Sequence, residues 1–91
     1  MNEKIWLISE IEIAHVRSEN GLVAFASFVF EDAFRMSSIG IFTKPSGGYR
    51  LTYPIRKNSS KNLNYFYPIN KDIEVQIETA VIEKFKETLN K

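Results

Sequence analysis

Runs of apolar and small residues predict extended structure over the first half of the chain. From Ile11 to Arg17, apolar and polar positions alternate, which is typical of a strand. Residues 18–21 predict a turn, because Asn20-Gly21 adopts positive φ at little cost. The unbroken apolar run from Leu22 to Phe30 predicts a strand that is buried on both faces.

Two further strands are predicted before Pro54. Alternation from Phe34 to Thr43 predicts a strand with two distinct faces. One face carries Phe34, Met36, Ser38, Gly40 and Phe42. The other face carries Arg35, Ser37, Ile39 and Ile41. On this period we expect Phe34 and Phe42 to lie in the core. A glycine-containing loop, 44–48, then leads into a returning strand, 49–53, so the first half is predicted to be an antiparallel meander.

The middle of the chain predicts a long connection. Pro54 to Asn64 is polar and has no hydrophobic period, which indicates a loop longer than most. Long loops often carry function, so this segment is a candidate site. Tyr65-Phe66-Tyr67 predicts a short fifth strand that ends at Pro68.

The C-terminal segment 71–90 predicts an amphipathic helix. Asn70 is the candidate N-cap, and Asp72 and Glu74 in the first turn favour the helix dipole. The apolar residues form two stripes, which are Ile73, Ile77, Ala80 and Val81, and Val75, Ile82, Phe85 and Leu89. Because one stripe suffices to cover a sheet, the second predicts either a wide core face or a contact with another subunit. The fold predicted is α+β, with about five strands and one C-terminal helix.

Length and composition favour one small domain, 1–91, in which residues 1–10 form an N-terminal extension. A chain of 91 residues builds a marginal core, so a homodimer is expected, with Val75, Ile82 and Leu89 at its interface. Residues 4–8 are expected to add an edge strand or to cover an apolar patch. The chain has no cysteine and no predicted signal or membrane-spanning segment, so we expect a cytoplasmic protein without disulfides or a membrane partner.

The charges are strongly segregated along the chain. Residues 33–71 contain seven basic residues and no acidic one, and sum to +7. Residues 1–32 sum to −4 and residues 72–91 to −2, which gives the overall charge of +1. A local basic surface attracts polyanions even when the net charge is small. The alternative is a solvated loop region in which acids are merely missing.

Catalytic chemistry has little support in the sequence. The single histidine, His15, lies in a predicted strand, and without cysteine or a second histidine no nucleophile–base pair is indicated. Glu10, Glu12 and Glu19 do not have a recognisable metal-ligand spacing. We therefore expect a protein that is not an enzyme and that has no metal, no cofactor and no small-molecule substrate.

Binding chemistry is concentrated in the predicted long loop. Arg56, Lys57 and Lys61 form the densest basic cluster, and such side chains contact phosphates. Lys44 and Arg50 are expected to flank them, with Tyr49 or Tyr53 available to stack on bases. The same basic and aromatic surface would also suit an acidic protein partner, which is the alternative function.

The chain also resembles a known family, SpoVG, the septation or stage V sporulation proteins. The residues that carry the resemblance are Gly21, Ala26-Ser27, Phe30-Glu31, Phe34, Ile39-Gly40-Ile41, Pro54-Ile55-Arg56-Lys57, Pro68-Ile69-Asn70 and Ala80-Val81. The similarity runs from about Ile11 to Leu89. It departs from the family pattern where Pro54-Ile55-Arg56-Lys57 replaces Pro-Ser-Lys-Arg, where Tyr67 replaces a histidine, and in a first strand that lacks arginine.

This resemblance implies a small, dimeric bacterial regulator that binds DNA and RNA. It implies association with septation during sporulation and with control of gene expression. It also implies that Arg56-Lys57 and the surface near the helix contact nucleic acid.

Overall fold

Four antiparallel strands form a sheet in which each strand lies beside the next one along the chain. The structure is a computed structural model, and it describes residues 4–57 and 62–89 without the side chain of residue 62. The strands are β1 (Ile8–Glu19), β2 (Leu22–Phe30), β3 (Phe34–Thr43) and β4 (Tyr49–Thr52). A separate two-stranded sheet of β5 (Ile55–Lys57) and β6 (Asn62–Asn64) follows, and then the helix α1 (Lys71–Leu89). The predicted α+β class and antiparallel meander are confirmed.

The core lies between α1 and one face of the four-stranded sheet. Ile77, Val81 and Phe85, spaced four residues apart, are the buried residues of the helix. They face the buried sheet residues, which are Ala24, Ala26, Phe28, Ile39, Ile41 and Leu51. Phe85, which the sequence pattern placed in the second stripe but bridging towards the first, therefore belongs to the core stripe of the helix.

The other face of the sheet is open, which corrects the prediction that β2 is buried on both faces. Ala24, Ala26 and Phe28 are buried, but Phe25 between them is 41% exposed. In a strand, successive side chains point to opposite faces, and the helix covers only one of them. The bounds of β2 agree with the prediction, whereas its burial does not.

A bulge in β3 overturns the predicted alternation of its two faces. Ala26 pairs with Ile39 and Phe28 with Met36, so β3 has one residue more than β2 over this stretch. Ser38 adopts the left-handed conformation there, with φ of 62°. As a result, Met36 and Ile39 both pack on the helix side. Neither Phe34, which is 64% exposed, nor the partly exposed Phe42 is among the buried core residues.

The first strand is longer than predicted, and residues 8–10 of the predicted N-terminal extension are part of it. Residues 4–7 precede it without forming a strand. The side chain of Gln76 holds this segment, because its Oε1 accepts from the Trp6 amide at 3.0 Å and its Nε2 donates to the Lys4 carbonyl at 2.7 Å. The Trp6 ring stacks on Phe30 with 5.6 Å between centroids, so the segment covers apolar surface.

The middle of the chain forms a hairpin rather than the predicted loop. β5 pairs antiparallel with β6, and the residues that connect them lie outside the described part of the chain. Residues 65–67, predicted to be the fifth strand, are not a strand. Only the Tyr65 amide continues the backbone pairing, by donating to the Pro54 carbonyl at 2.9 Å.

The start of the helix is capped as predicted. Asn70 Oδ1 accepts hydrogen bonds from the amides of Asp72 and Ile73 at 2.8 and 3.2 Å. Asp72 and Glu74 lie in the first turn, where carboxylates favour the dipole. In the part of the chain that the structure describes, no helix is both long and apolar enough to cross a membrane.

An apolar cavity of about 420 Å³ lies beside the start of the helix. Its lining includes Trp6, Phe28, Met36, Tyr53, Phe66 and Ile73. The Tyr53 hydroxyl is buried there without a hydrogen-bond partner among the described residues. Burial, followed by the nearby carboxylates of Glu78 and Glu74, raises the pKa of Tyr53 to about 12.

The helix–sheet contact can be tested with two phenylalanines of opposite burial. Phe85→Ala removes a side chain that is 2% exposed and should lower the free energy of unfolding by about 3–5 kcal/mol, or abolish folding. Phe34→Ala, at a residue that is 64% exposed, should change it by no more than about 0.5 kcal/mol. Urea unfolding followed by circular dichroism measures both, and equal losses would contradict this account of the core.

The unpaired hydroxyl of Tyr53 gives a second test. Tyr53→Phe should leave stability unchanged or raise it, because the lost hydroxyl makes no hydrogen bond to any residue in 4–57 or 62–89. In the parent protein, stability should fall as the pH rises from about 10 to 12, since the unfolded tyrosine loses its proton before the folded one. This part of the fall should be absent from Tyr53→Phe and present in Tyr65→Phe, whose ring is exposed. Identical pH profiles in all three proteins would contradict the burial of this group.

Candidate nucleic-acid interface

The basic residues at the centre of the candidate site lie on the β5–β6 hairpin. Arg56 pairs with Leu63, whereas its neighbours Ile55 and Lys57 pair with Asn64 and Asn62. Both Arg56 and Lys57 are exposed. Because neighbours in a strand point to opposite faces, the two cations project from opposite sides of the hairpin. Lys61, the third member of the predicted cluster, lies outside the described residues.

Hydrogen bonds join the hairpin to the end of β4. The Asn64 side-chain amide donates to the carbonyls of Tyr53 and Pro54 at 3.1 and 3.5 Å. Together with the bond from the Tyr65 amide to Pro54, they hold β6 against the residues that follow the main sheet. The short hairpin is therefore a projection with a fixed base rather than an irregular loop.

Arg50 lies on the main sheet, and Lys44 lies on its β3–β4 turn. Arg50 is exposed on β4, and its guanidinium lies 4.8 Å from the centroid of the Phe42 ring. Lys44 opens the turn, in which its amide donates to the Gly48 carbonyl at 3.0 Å and its carbonyl accepts from the Gly47 amide at 2.9 Å. Gly47 and Gly48 both have positive φ, which this tight turn requires.

The two tyrosines proposed for stacking on bases have their rings in contact with core residues. The Tyr49 ring meets Phe85 edge-on at 5.0 Å, and the Tyr53 ring meets Phe66 at 6.2 Å. Tyr49 and Arg50 are neighbours on β4, so they point to opposite faces of the sheet. This placement separates both rings from Arg50 and argues against a stacking role for them.

Some cations of the described chain pair with carboxylates. Others, among them Lys4, Arg17 and Lys86 outside the acid-free segment, have no described carboxylate within 4.0 Å. Arg35 pairs with Glu10 at 3.1 Å, and Lys71 and Lys84 pair with Glu74 and Glu87 along the helix at 3.7 and 3.8 Å. A second set consists of Lys44, Arg50, Arg56 and Lys57. No carboxylate of residues 4–57 and 62–89 lies within 4.0 Å of these four side chains. This second set lies in the acid-free segment and is available to an anionic partner.

The single histidine and the acidic residues have the following surroundings. His15 Nε2 lies 2.7 Å from the Thr88 hydroxyl, and its ring packs 5.4 Å from Phe85, which is a structural role at the end of the helix. Within the described ranges, no three His, Asp or Glu side chains are grouped as metal ligands would be.

The three residues predicted for a dimer interface do not share one environment. Val75 and Leu89 are 46% and 50% exposed. Ile82 is partly buried against the core. Their spacing of seven residues places them along one flank of the helix.

Sequence reasoning missed the open face of the sheet. Phe25 was expected to be buried, and Phe42 was assigned to the core. The signal was present in β2, where Ala24 and Ala26 are small enough to allow a helix to approach and Phe25 and Ser27 alternate with them. Such alternation is typical of a sheet covered on one face.

The comparisons with known proteins cover nearly the whole chain. The model of the SpoVG family matches residues 7–87. A protein of Acholeplasma laidlawii named "Putative septation protein SpoVG" is 30% identical over 84 residues, which is 91% of this chain and 88% of that protein. Proteins of the same name from Treponema denticola and Phytoplasma australiense are 28% and 25% identical, over 89% and 91% of this chain and 87% and 86% of their own lengths.

The match begins at the residue before β1 and ends two residues before the last described residue of α1, so it includes every strand and nearly all of the helix. The relatives are named for septation and not for a reaction. A family model that spans the whole fold, together with similarity over about nine-tenths of the chain, places this protein in the SpoVG family.

Proposed function

We propose that this chain is a dimeric, nucleic-acid-binding regulator of the SpoVG type that acts in septation and in control of gene expression in the cytoplasm. The observation that carries the proposal is a set of four exposed cations in the acid-free segment, Lys44, Arg50, Arg56 and Lys57, with no carboxylate partner among the described residues. The septation role comes from the names of the relatives. No catalytic step is part of the proposal.

Electrostatics favours a polyanion as the partner of this surface. The segment 33–71 carries +7, and no acidic residue within it competes for the cations. Lys and Arg side chains that contact phosphates release condensed counterions, which supplies most of the affinity for nucleic acid. Lys44 and Arg50 extend the positive charge from the hairpin along the β3–β4 side of the sheet.

The shape of the hairpin supports contact with a groove or with two backbone strands. Arg56 and Lys57 project from opposite faces of a ribbon only two strands wide. The major groove of duplex DNA admits a two-stranded β-ribbon. Such a ribbon brings one cation toward each wall of the groove, and phosphates line both walls.

The charges of the hairpin provide the test. Arg56→Ala/Lys57→Ala should keep the fold, because exposed charges contribute no more than about 1 kcal/mol. It should weaken binding to duplex DNA, and the slope of log affinity against log salt should fall by about 0.9 for each phosphate that the variant no longer neutralises. Lys71→Ala/Lys84→Ala removes the same charge from the helix and is the control. Fluorescence anisotropy over a salt series measures both, and equal slopes in all three proteins would remove the hairpin from the site.

The same measurement separates the alternative function. An acidic protein partner would also bind this surface, but it predicts no affinity for nucleic acid in the parent protein. If neither duplex DNA nor single-stranded RNA binds at low salt, the nucleic-acid function is wrong and the acidic partner is favoured.

We also propose that the chain forms a homodimer through the helix flank of Val75, Ile82 and Leu89. Val75 and Leu89 present apolar side chains to solvent on that flank, and association would bury them. A dimer would also carry two basic hairpins, which raises the affinity for a ligand that spans both.

The dimer is tested at the exposed positions, because a charge at Ile82 would also disturb the core. Val75→Glu/Leu89→Glu should yield a folded monomer in sedimentation velocity, since the new carboxylates would be buried together in the interface. Lys84→Glu makes the same change in net charge on the opposite flank of the helix and should remain dimeric. A parent protein that sediments as a monomer at high micromolar concentration would refute the dimer.

A further inference from the structure

The open face of the main sheet carries an aromatic surface that the hairpin site does not use. The helix covers only the face of Ala24, Ala26 and Phe28. On the other face, Phe25 is 41% exposed at the centre of the sheet, on an inner strand flanked by β1 and β3. An exposed aromatic ring offers a large flat apolar surface that can stack on a planar partner.

Small residues surround Phe25 and leave its ring accessible. The strand register places Ala14, Phe25, Gly40 and Thr52 in one row across all four strands. Ala14 and Gly40, the direct neighbours of Phe25, have no side chain long enough to cover its ring. The row is therefore a flat surface from which a single aromatic ring projects.

Gly40 also allows a second ring to lie on this surface. A Cβ atom at Gly40 would lie 2.6 Å from Thr52 Oγ1 and 3.1 Å from Cε1 of Phe42, which is closer than Cβ atoms normally approach. The Phe42 ring therefore leans over the glycine toward the row that contains Phe25. The Arg50 guanidinium lies over the Phe42 ring at 4.8 Å, so two aromatic rings and one planar cation share this face.

Polar groups lie on the other side of Phe25. A shallow depression of about 380 Å³ is lined by Phe25, Ala14, Glu12, Ser27 and Ser38. Ser38 is the left-handed residue of the β3 bulge, and bulges commonly redirect a side chain toward a site. Arg35 already donates to the Ser27 hydroxyl at 3.3 Å and lies 4.0 Å from the Glu12 carboxylate. The Ser38 hydroxyl is therefore the group best suited to the hydrogen-bonding edge of a base that is stacked on Phe25.

Acidic and basic side chains lie at opposite edges of the sheet. Glu10 and Glu12 lie on β1, where Arg35 approaches them at 3.1 and 4.0 Å. Arg50 lies on β4 and Lys44 on the turn before it, at the opposite side of the sheet. A phosphate backbone would therefore run along the β4 side, next to the basic hairpin, and its bases would point toward β2.

We infer that the open face of the sheet binds single-stranded nucleic acid by stacking an unpaired base on Phe25, with a phosphate at the Arg50 guanidinium, which lies over the Phe42 ring. The inference rests on the proposed nucleic-acid function and specifies the form of nucleic acid that this face takes. Bases within a duplex are already stacked on each other and cannot lie flat on a side chain. Phe25 should therefore matter for single strands and not for duplexes.

The test compares Phe25→Ala with the parent protein on two probes, a fluorescent oligouridylate and a duplex DNA of the same length. Loss of one stacked base should weaken oligouridylate binding by roughly 5- to 100-fold. Duplex affinity should not change. Phe34→Ala is the matched control, since Phe34 is an exposed phenylalanine at the first position of β3. Circular dichroism establishes that each variant is folded.

A spectroscopic variant reports stacking directly. Trp6 is the single tryptophan, so Trp6→Phe/Phe25→Trp places the only indole on the open face. Oligouridylate should quench its fluorescence, and duplex DNA should not. A decrease that salt reverses for both probes equally would indicate charge contact without stacking and would overturn the inference.

The outcomes separate this inference from the proposed function. If Phe25→Ala binds oligouridylate as the parent does, while Arg56→Ala/Lys57→Ala loses duplex affinity, the inference fails and the function stands. If the parent binds neither probe, the proposed function itself fails. If Phe25→Ala changes the sedimentation of the protein from dimer to monomer, the open face is a contact between copies, and the inference is wrong.

Discussion

The contact of one helix with one face of the sheet determines the rest of this structure. Ile77, Val81 and Phe85 fill the space over Ala24, Ala26 and Ile41, and these small or branched sheet residues allow the helix to lie close. A helix about 10–12 Å wide cannot cover both faces of a four-stranded sheet. The second face therefore remains open, and the aromatic and charged residues on it are free to act on a partner.

The separation of charge along the chain becomes a separation in space. Glu10, Glu12 and Glu19 lie on β1, at one edge of the sheet, whereas Lys44, Arg50, Arg56 and Lys57 lie on β4, its turn and the hairpin beyond. The meander maintains this order because each strand lies beside its neighbour in sequence. A chain with the same composition and a crossed topology would mix the two charges and lose the basic side.

Local patterns predicted the strongly apolar elements, and they failed where the backbone departs from a regular period. The bounds of β2 and β3 and the cap at Asn70 followed from apolar runs and from capping chemistry. The bulge at Ser38 was not predictable, because one inserted residue reverses every later face without changing the composition. β5 and β6 were missed because each has only three residues, most of them polar, which leaves no period to detect.

The charge of the candidate surface can be read from the sequence, whereas the direction of its aromatic rings cannot. The acid-free segment is visible in the sequence, whereas the direction of each ring depends on which face the helix covers. Tyr49 and Tyr53 are close to Arg50 in sequence, but both pack on the helix side. Phe25 lies on the open side because it alternates with the buried Ala24 and Ala26 along β2. Phe42 lies there because the bulge in β3 puts Ile39 and Ile41 on the helix side.

The clamp formed by Gln76 has a consequence for cooperativity. It joins Lys4 and Trp6 to the helix across separations of 72 and 70 residues, and His15 meets Thr88 across 73. The segment before β1 is thus joined to the helix at Gln76, and β1 itself is joined to it at Thr88. Release of the helix frees the segment, and release of the segment removes two hydrogen bonds from a helix side chain, so the two openings are coupled. Local opening at the two ends of this fold is therefore a single event, and amide exchange there should occur as one unit.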